Sequence, residues 1–133
     1  MAVSSVSPIG FPHLDLNLTK WCWGSASSGG LTTSNVGVPI GAAVGENQAN
    51  YADRSVQVTG TFGAGGSVQI EGSNDGGVTY NIMNDAFGNP LVITSGVIKQ
   101  ITECAERIRP NVTAGDGTTS IIVSMFMRKI ISQ

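Results

Sequence analysis

Charge is scarce in this sequence. Asp, Glu, Lys and Arg together make up 12% of its 133 residues, seven basic against nine acidic, for a formal net charge of -2. A typical soluble domain carries about a quarter. Seven basic residues scattered along the chain leave no electrostatic footprint for nucleic acid, which is not expected as a partner. Histidine is nearly missing: His13 is alone, in a proline-flanked stretch. A Ser-His-Asp or Cys-His arrangement would require that one ring to be held rigidly, so no catalytic role is expected and the chain reads as a non-enzyme. The carboxylates are dispersed, and Asp75 and Asp116 stand in Asp-Gly turn contexts, so neither a metal nor any other cofactor is expected.

Two cysteines, Cys22 and Cys104, cannot make a four-ligand zinc set or a disulfide framework. The first residues show no basic start followed by an apolar core, and no run approaches the roughly 18–20 apolar residues that cross a bilayer. No membrane partner is expected, and the reading is a protein made in the cytoplasm with free thiols. Gly63-Ala64-Gly65-Gly66 lacks the Gly-Lys-Ser/Thr ending and the following helix of a phosphate loop. Asn17-Leu18-Thr19 and Asn111-Val112-Thr113 match the glycosylation acceptor pattern, which has no meaning without secretion.

What is present is β-forming. Gly, Ser, Thr, Val, Ile and Asn dominate, the composition of short strands joined by turns. At this length one domain is expected. Its character changes near residue 50. Residues 1–50 are sparse in charge and broken by Ser25–Gly30 and Gly41–Gly45, and they read as an extended N-terminal arm with short strands. Residues 51–133 read as the body. In the body, Val56, Val58 and Phe62 alternate with polar residues. Gly63–Gly66 then supplies a turn, and Val68 and Ile70 are expected to return as the hairpin partner. After Ser73-Asn74-Asp75-Gly76-Gly77, the residues Val78, Tyr80 and Ile82 mark a third inward face. Asn84–Pro90 is a polar loop, and Val97–Glu103 and Ser120–Ile130 are further strands. Either Val123 and Met125 with their alternates, or the opposite face of that last strand, could point inward. Six or so strands at this spacing predict an all-β, antiparallel β-sandwich of jelly-roll-like form.

Trp21 and Trp23 flank Cys22, so a strand there puts both indoles on one face. Such rings suit a core or a subunit interface, and exposed ones could stack on sugars. With Ile9, Phe11 and Leu14 they are the available apolar anchors of the arm, and these five are the candidate partner-interface residues. The arm is expected to be partly mobile in the isolated subunit and to order on a partner. Deleting residues 1–20 is expected to leave the body folded.

Three stretches together carry a resemblance: Asp53-Arg54-Ser55-Val56-Gln57-Val58-Thr59-Gly60-Thr61-Phe62, Val68-Gln69-Ile70-Glu71-Gly72-Ser73-Asn74-Asp75-Gly76, and Arg107-Ile108-Arg109-Pro110 running into Gly115-Asp116-Gly117-Thr118-Thr119. The last 80 or so residues, read this way, resemble the small head-decoration, or cement, proteins of tailed bacteriophages. The resemblance implies a β-sandwich subunit on the outside of the virion head. It would bridge neighbouring subunits of the major capsid protein, and touch neighbouring copies of itself as a dimer or trimer. A phage tail or head-tail connector component and a carbohydrate-binding β-sandwich module are the alternative readings.

Overall fold

The structure is a computed structural model that describes residues 5–6, 9–10, 18–41 and 53–128. Among the described residues there is no helix, and the strands are β1 (Ser5–Val6), β2 (Ile9–Gly10), β3 (Leu18–Trp23), β4 (Val36–Gly37), β5 (Asp53–Thr61), β6 (Ser67–Ser73), β7 (Asn81–Ile82), β8 (Val92–Ile93), β9 (Val97–Ile101), β10 (Arg107–Ala114) and β11 (Ser120–Arg128). They form two sheets. One runs β1-β4-β10-β6, with β7 and β8 both added to the far side of β6; the other runs β2-β3-β11-β5-β9. Every pairing is antiparallel except that of β1 with β4. The all-β sandwich expected from the alternating pattern is the observed fold.

The core lies between the sheets because each long strand is apolar on one side only. Val56, Val58, Val123, Met125 and Met127 meet Val68, Ile70, Ile108 and Val112, and all of these are buried. On β11 the inward face is therefore Ile121, Val123, Met125 and Met127, with Phe126 on the other side. Phe62 packs only partly against this core.

The expected hairpin between β5 and β6 does not form. β5 pairs with β11 and β9, and β6 pairs with β10, β7 and β8, so residues 62–66 cross from one sheet to the other. The same crossing is made between β10 and β11. Alternation says which side chains point inward and is identical for a hairpin and for a crossing of this kind, so the pattern could not separate them.

The third inward face is also corrected. Val78 is 84% exposed, Ile82 is exposed and Tyr80 is half-buried, while Met83 is the side chain that enters the core. The cause is Asp75, whose Oδ1 accepts the backbone N–H groups of Val78 (3.1 Å) and Thr79 (2.9 Å) and keeps the chain turning past the position where a strand was expected. The carboxyl is held at about 2, below its ordinary 3.8, chiefly by the Thr79 N–H and next by the Ser73 hydroxyl.

Part of the stretch before residue 50 lies within the two sheets. β3 lies inside the five-stranded sheet, pairing residue by residue with β11 from Trp23↔Val123 to Leu18↔Arg128. β4 adds to β10, and Leu31 and Ile40 are fully buried. Residues 18–41 are thus part of the sandwich, and a deletion of residues 1–20 cuts three residues from β3. Residues 42–52 lie outside the described residues.

Candidate binding surface

The two outer faces of the sandwich differ in chemistry. On the six-stranded sheet, Gln69 and Glu71 of β6 stand beside Arg109 and Asn111 of β10. Glu71 is only 5% exposed although it points away from the core. Its Oε1 accepts from Arg109 Nε at 2.9 Å, and its Oε2 accepts from Asn111 Nδ2 at 2.9 Å and from Gln69 Nε2. The Arg109 guanidinium also lies 3.7 Å from the centre of the Tyr80 ring. This face is occupied by its own ion pair, with the Arg109 guanidinium stacked on Tyr80.

The outer face of the five-stranded sheet is open and nearly uncharged. One row crosses it as Ile98, Gln57, Ser124 and Cys22, with the Cys22 thiol donating to Ser124 Oγ at 3.4 Å. The next row is Gln100, Ser55, Phe126 and Lys20. The charged side chains described on this face, Lys20, Asp53 and Arg128, gather at one end, where Arg128 Nε donates to Asp53 Oδ2 at 3.0 Å. There Asp53, Arg54, Ser55, Gln100, Phe126 and Arg128 line a groove of about 400 Å³. Ile98 and Phe126 are exposed large apolar side chains of this face. A β surface with this little charge escapes the large cost of desolvating ions when a partner covers it, and its amides and hydroxyls can pair with that partner.

The other exposed large apolar side chains among the described residues, Val78, Ile82, Phe87 and Val92, all fall in residues 78–92, at the β7–β8 edge of the opposite sheet. Phe87 is 90% exposed at the tip of a turn organised by Asp85. Asp85 Oδ1 accepts from the Phe87 and Asn89 N–H groups, both at 2.9 Å, and the Asp85 N–H donates to Asn89 O at 2.8 Å. Gly88, at φ +82, closes the turn in a conformation that a side chain would strain. The Asn89 N–H leads the causes that hold the Asp85 carboxyl below its ordinary value, with Lys99, 3.7 Å away, contributing.

A cleft of about 710 Å³ lies between the 73–79 turn and residues 103–105, with Asp75, Asn81, Ile82, Glu103 and Cys104 on its walls. Its polar groups are largely engaged in holding the fold: Glu103 accepts from the N–H and side-chain amide of Asn84, and Arg54, buried beneath, donates to Glu103 O at 2.9 Å and reaches the Cys104 sulfur at 3.5 Å. No group of three or more His, Cys, Asp or Glu is placed to hold a metal ion among the described residues.

Of the five residues picked out as interface anchors, Trp23 belongs to the core. It is 1% exposed and its Nε1 donates to Val38 O at 2.9 Å, so a carbonyl just past β4 satisfies the indole from within. Trp21, on the same face of β3, is half-buried against that core. Ile9 sits in β2, opposite Cys22, while Phe11 and Leu14 lie outside the described residues. Phe87, Phe126 and Ile98 were missed. The signals were there: an aromatic residue inside a polar turn, and large apolar residues on the polar side of an alternating strand. No known protein family, curated protein or solved structure matches the chain.

Proposed function

We propose that this protein is a structural subunit of a phage virion that binds the outside of the head and bridges neighbouring coat subunits. The observation that supports it is the outer face of the five-stranded sheet, uncharged over four strands from Ile98 to Cys22 and carrying its charges at one end. A subunit that touches two coat proteins contributes its full binding free energy only on an intact shell, so bridging stabilises the assembled state by mass action. Repetition over a lattice multiplies modest contacts, provided that the geometry lets them engage together. The resemblance of the last 80 or so residues to cement proteins names the partner class. The carbohydrate-binding alternative loses a platform with Trp23 in the core and Tyr80 stacked under Arg109.

The test adds purified protein to heads lacking the subunit and measures occupancy and the temperature at which DNA is released. Wild type is expected to saturate the heads and raise that temperature. Gln57→Lys and Ile98→Lys, placed in the centre of the uncharged face, are expected to lower occupancy at least about tenfold with unchanged melting of the free protein. Absence of wild-type binding would remove the reading. Unimpaired binding of both variants would move the contact off this face.

A further inference from the structure

The surface carries a knob and a groove of matching chemistry. The knob is Phe87, fixed outward by the Asp85 hydrogen bonds and by the bridge between Asp85 and Ile101 that ties its turn to the edge of β9. A backbone already held in place leaves only the ring's own rotation to be fixed on docking. The groove is the space of about 400 Å³ between the ends of β9, β5 and β11. One of its walls is the Phe126 ring, 41% exposed, and another is the Arg128 guanidinium. An aromatic ring and a guanidinium in one groove favour an aromatic guest, through offset or edge-to-face stacking and cation-π attraction.

The charges agree with this pairing. Arg128 is matched by Asp53 on the groove side, and Asp85 is matched by Lys99 beneath the knob, so the contact sets neither pair against an unmatched charge of the other. The knob side is thereby neutral, while the groove, lined by Asp53, Arg54 and Arg128, keeps one positive charge in excess, which the π face of the Phe87 ring complements.

We infer that Phe87 of one copy docks into the Phe126–Arg128 groove of a second copy. The inference rests on the reading of the chain as an assembly subunit and supplies that assembly with its copy-to-copy contact. It leaves the rows around Ile98, Gln57 and Ser124 open for a different protein.

Sedimentation of the full chain over a range of concentrations tests the contact. Wild type is expected to self-associate; Phe87→Ala and Phe126→Ser are each expected to raise the dissociation constant at least about tenfold. Melting temperatures of both variants are measured alongside, and that of Phe87→Ala is expected to be unchanged because its ring touches solvent. The decisive arm mixes the two variants. Phe87→Ala keeps an intact groove and Phe126→Ser keeps an intact knob, so the mixture is expected to associate more tightly than either alone. A monomeric wild type, a Phe87→Ala protein that associates normally, or a mixture no tighter than its components overturns the inference. Head occupancy measured on the same proteins separates the two proposals. Binding to heads by a protein that never self-associates rejects this contact alone, and self-association without head binding rejects the virion role alone.

Discussion

The backbone N–H of Ala64 donates to Oδ2 of Asp116 at 2.8 Å, joining the crossing that leads from β5 to β6 with the one that leads from β10 to β11. Thr119 completes the junction: its hydroxyl donates to Phe62 O at 2.7 Å and accepts the Asp116 N–H at 2.9 Å. Thr33 Oγ1 adds the loop before β4 by donating to Asp116 O at 2.9 Å. Gly63, at φ +72, is required at this point because a Cβ there would run into the Asp116 carboxylate. Both crossings are thus clamped by one acid.

Asp116→Ala is expected to lower the melting temperature at neutral pH. The Asp116 carboxyl is held at about 2, below its ordinary 3.8, first by the Thr118 hydroxyl and then by the Ala64 N–H. A carboxyl depressed by folding stabilises the native state above its unfolded value, and that contribution disappears as pH falls through the folded one. The gap in melting temperature between wild type and variant is therefore expected to be full above about pH 4 and to shrink toward about pH 2. Asp75, with the same depression, is present in both proteins and drops out of the difference. Thermal melts at several pH values check this, and a gap that stays constant down to pH 2 would be the contrary result.

Trp23→Ala is expected to destabilise the fold by about 3–5 kcal/mol, the cost of emptying a large aromatic site in a packed core. Trp23→Phe keeps most of the ring but strands the Val38 carbonyl, and is expected to cost about 1–3 kcal/mol. Denaturant titration of both gives the order. If Trp23→Ala melted like wild type, the indole would not be the core element described.

Glu71→Ala is expected to cost about 1–3 kcal/mol, because it takes an acceptor from Arg109, Asn111 and Gln69 at once. Paired with Arg109→Ala in a double-mutant cycle, the two losses are expected to fall well short of additive. Strict additivity would show that the ion pair contributes nothing of its own.

Cys22 and Cys104 are unpaired in the structure. The intact mass under non-reducing conditions is expected to equal that of the dithiol, and reductant is expected to leave melting unchanged. A mass lower by two hydrogens would contradict both.

Val58→Asp is expected to unfold the protein or cost more than about 3 kcal/mol, since it places a charge among Val56, Val123 and Met125 with no partner. Near-wild-type melting would mean that β5 presents its other side to the core.

The alternation of Val56 with Val58 and of Val68 with Ile70 settled in advance which side chains face inward, whereas along Ile121–Met127 it marked two faces and only the fold chose between them; the Gly, Asn and Asp clusters settled where the chain turns. These are local properties: side-chain period follows from the pleat, and a turn follows from the few residues that can adopt it. The alternation failed at Val78–Ile82 because a neighbouring carboxylate, Asp75, took the backbone donors that a strand would have used.

Which strand lies beside which was decided only in three dimensions. β5 and β6 are consecutive yet lie in different sheets, and β3, far from β11 in sequence, became its neighbour. An inward-facing strand is equally satisfied in either sheet, so its partners are chosen by how the whole set of apolar faces closes on one core. The same closure took Trp23 into the interior, buried Glu71 under Arg109 and left Phe87 and Phe126 outside. Residue type alone ranks a tryptophan above a phenylalanine as a contact. Exposure belongs to the folded arrangement, because it depends on what the rest of the chain brings to cover each side chain.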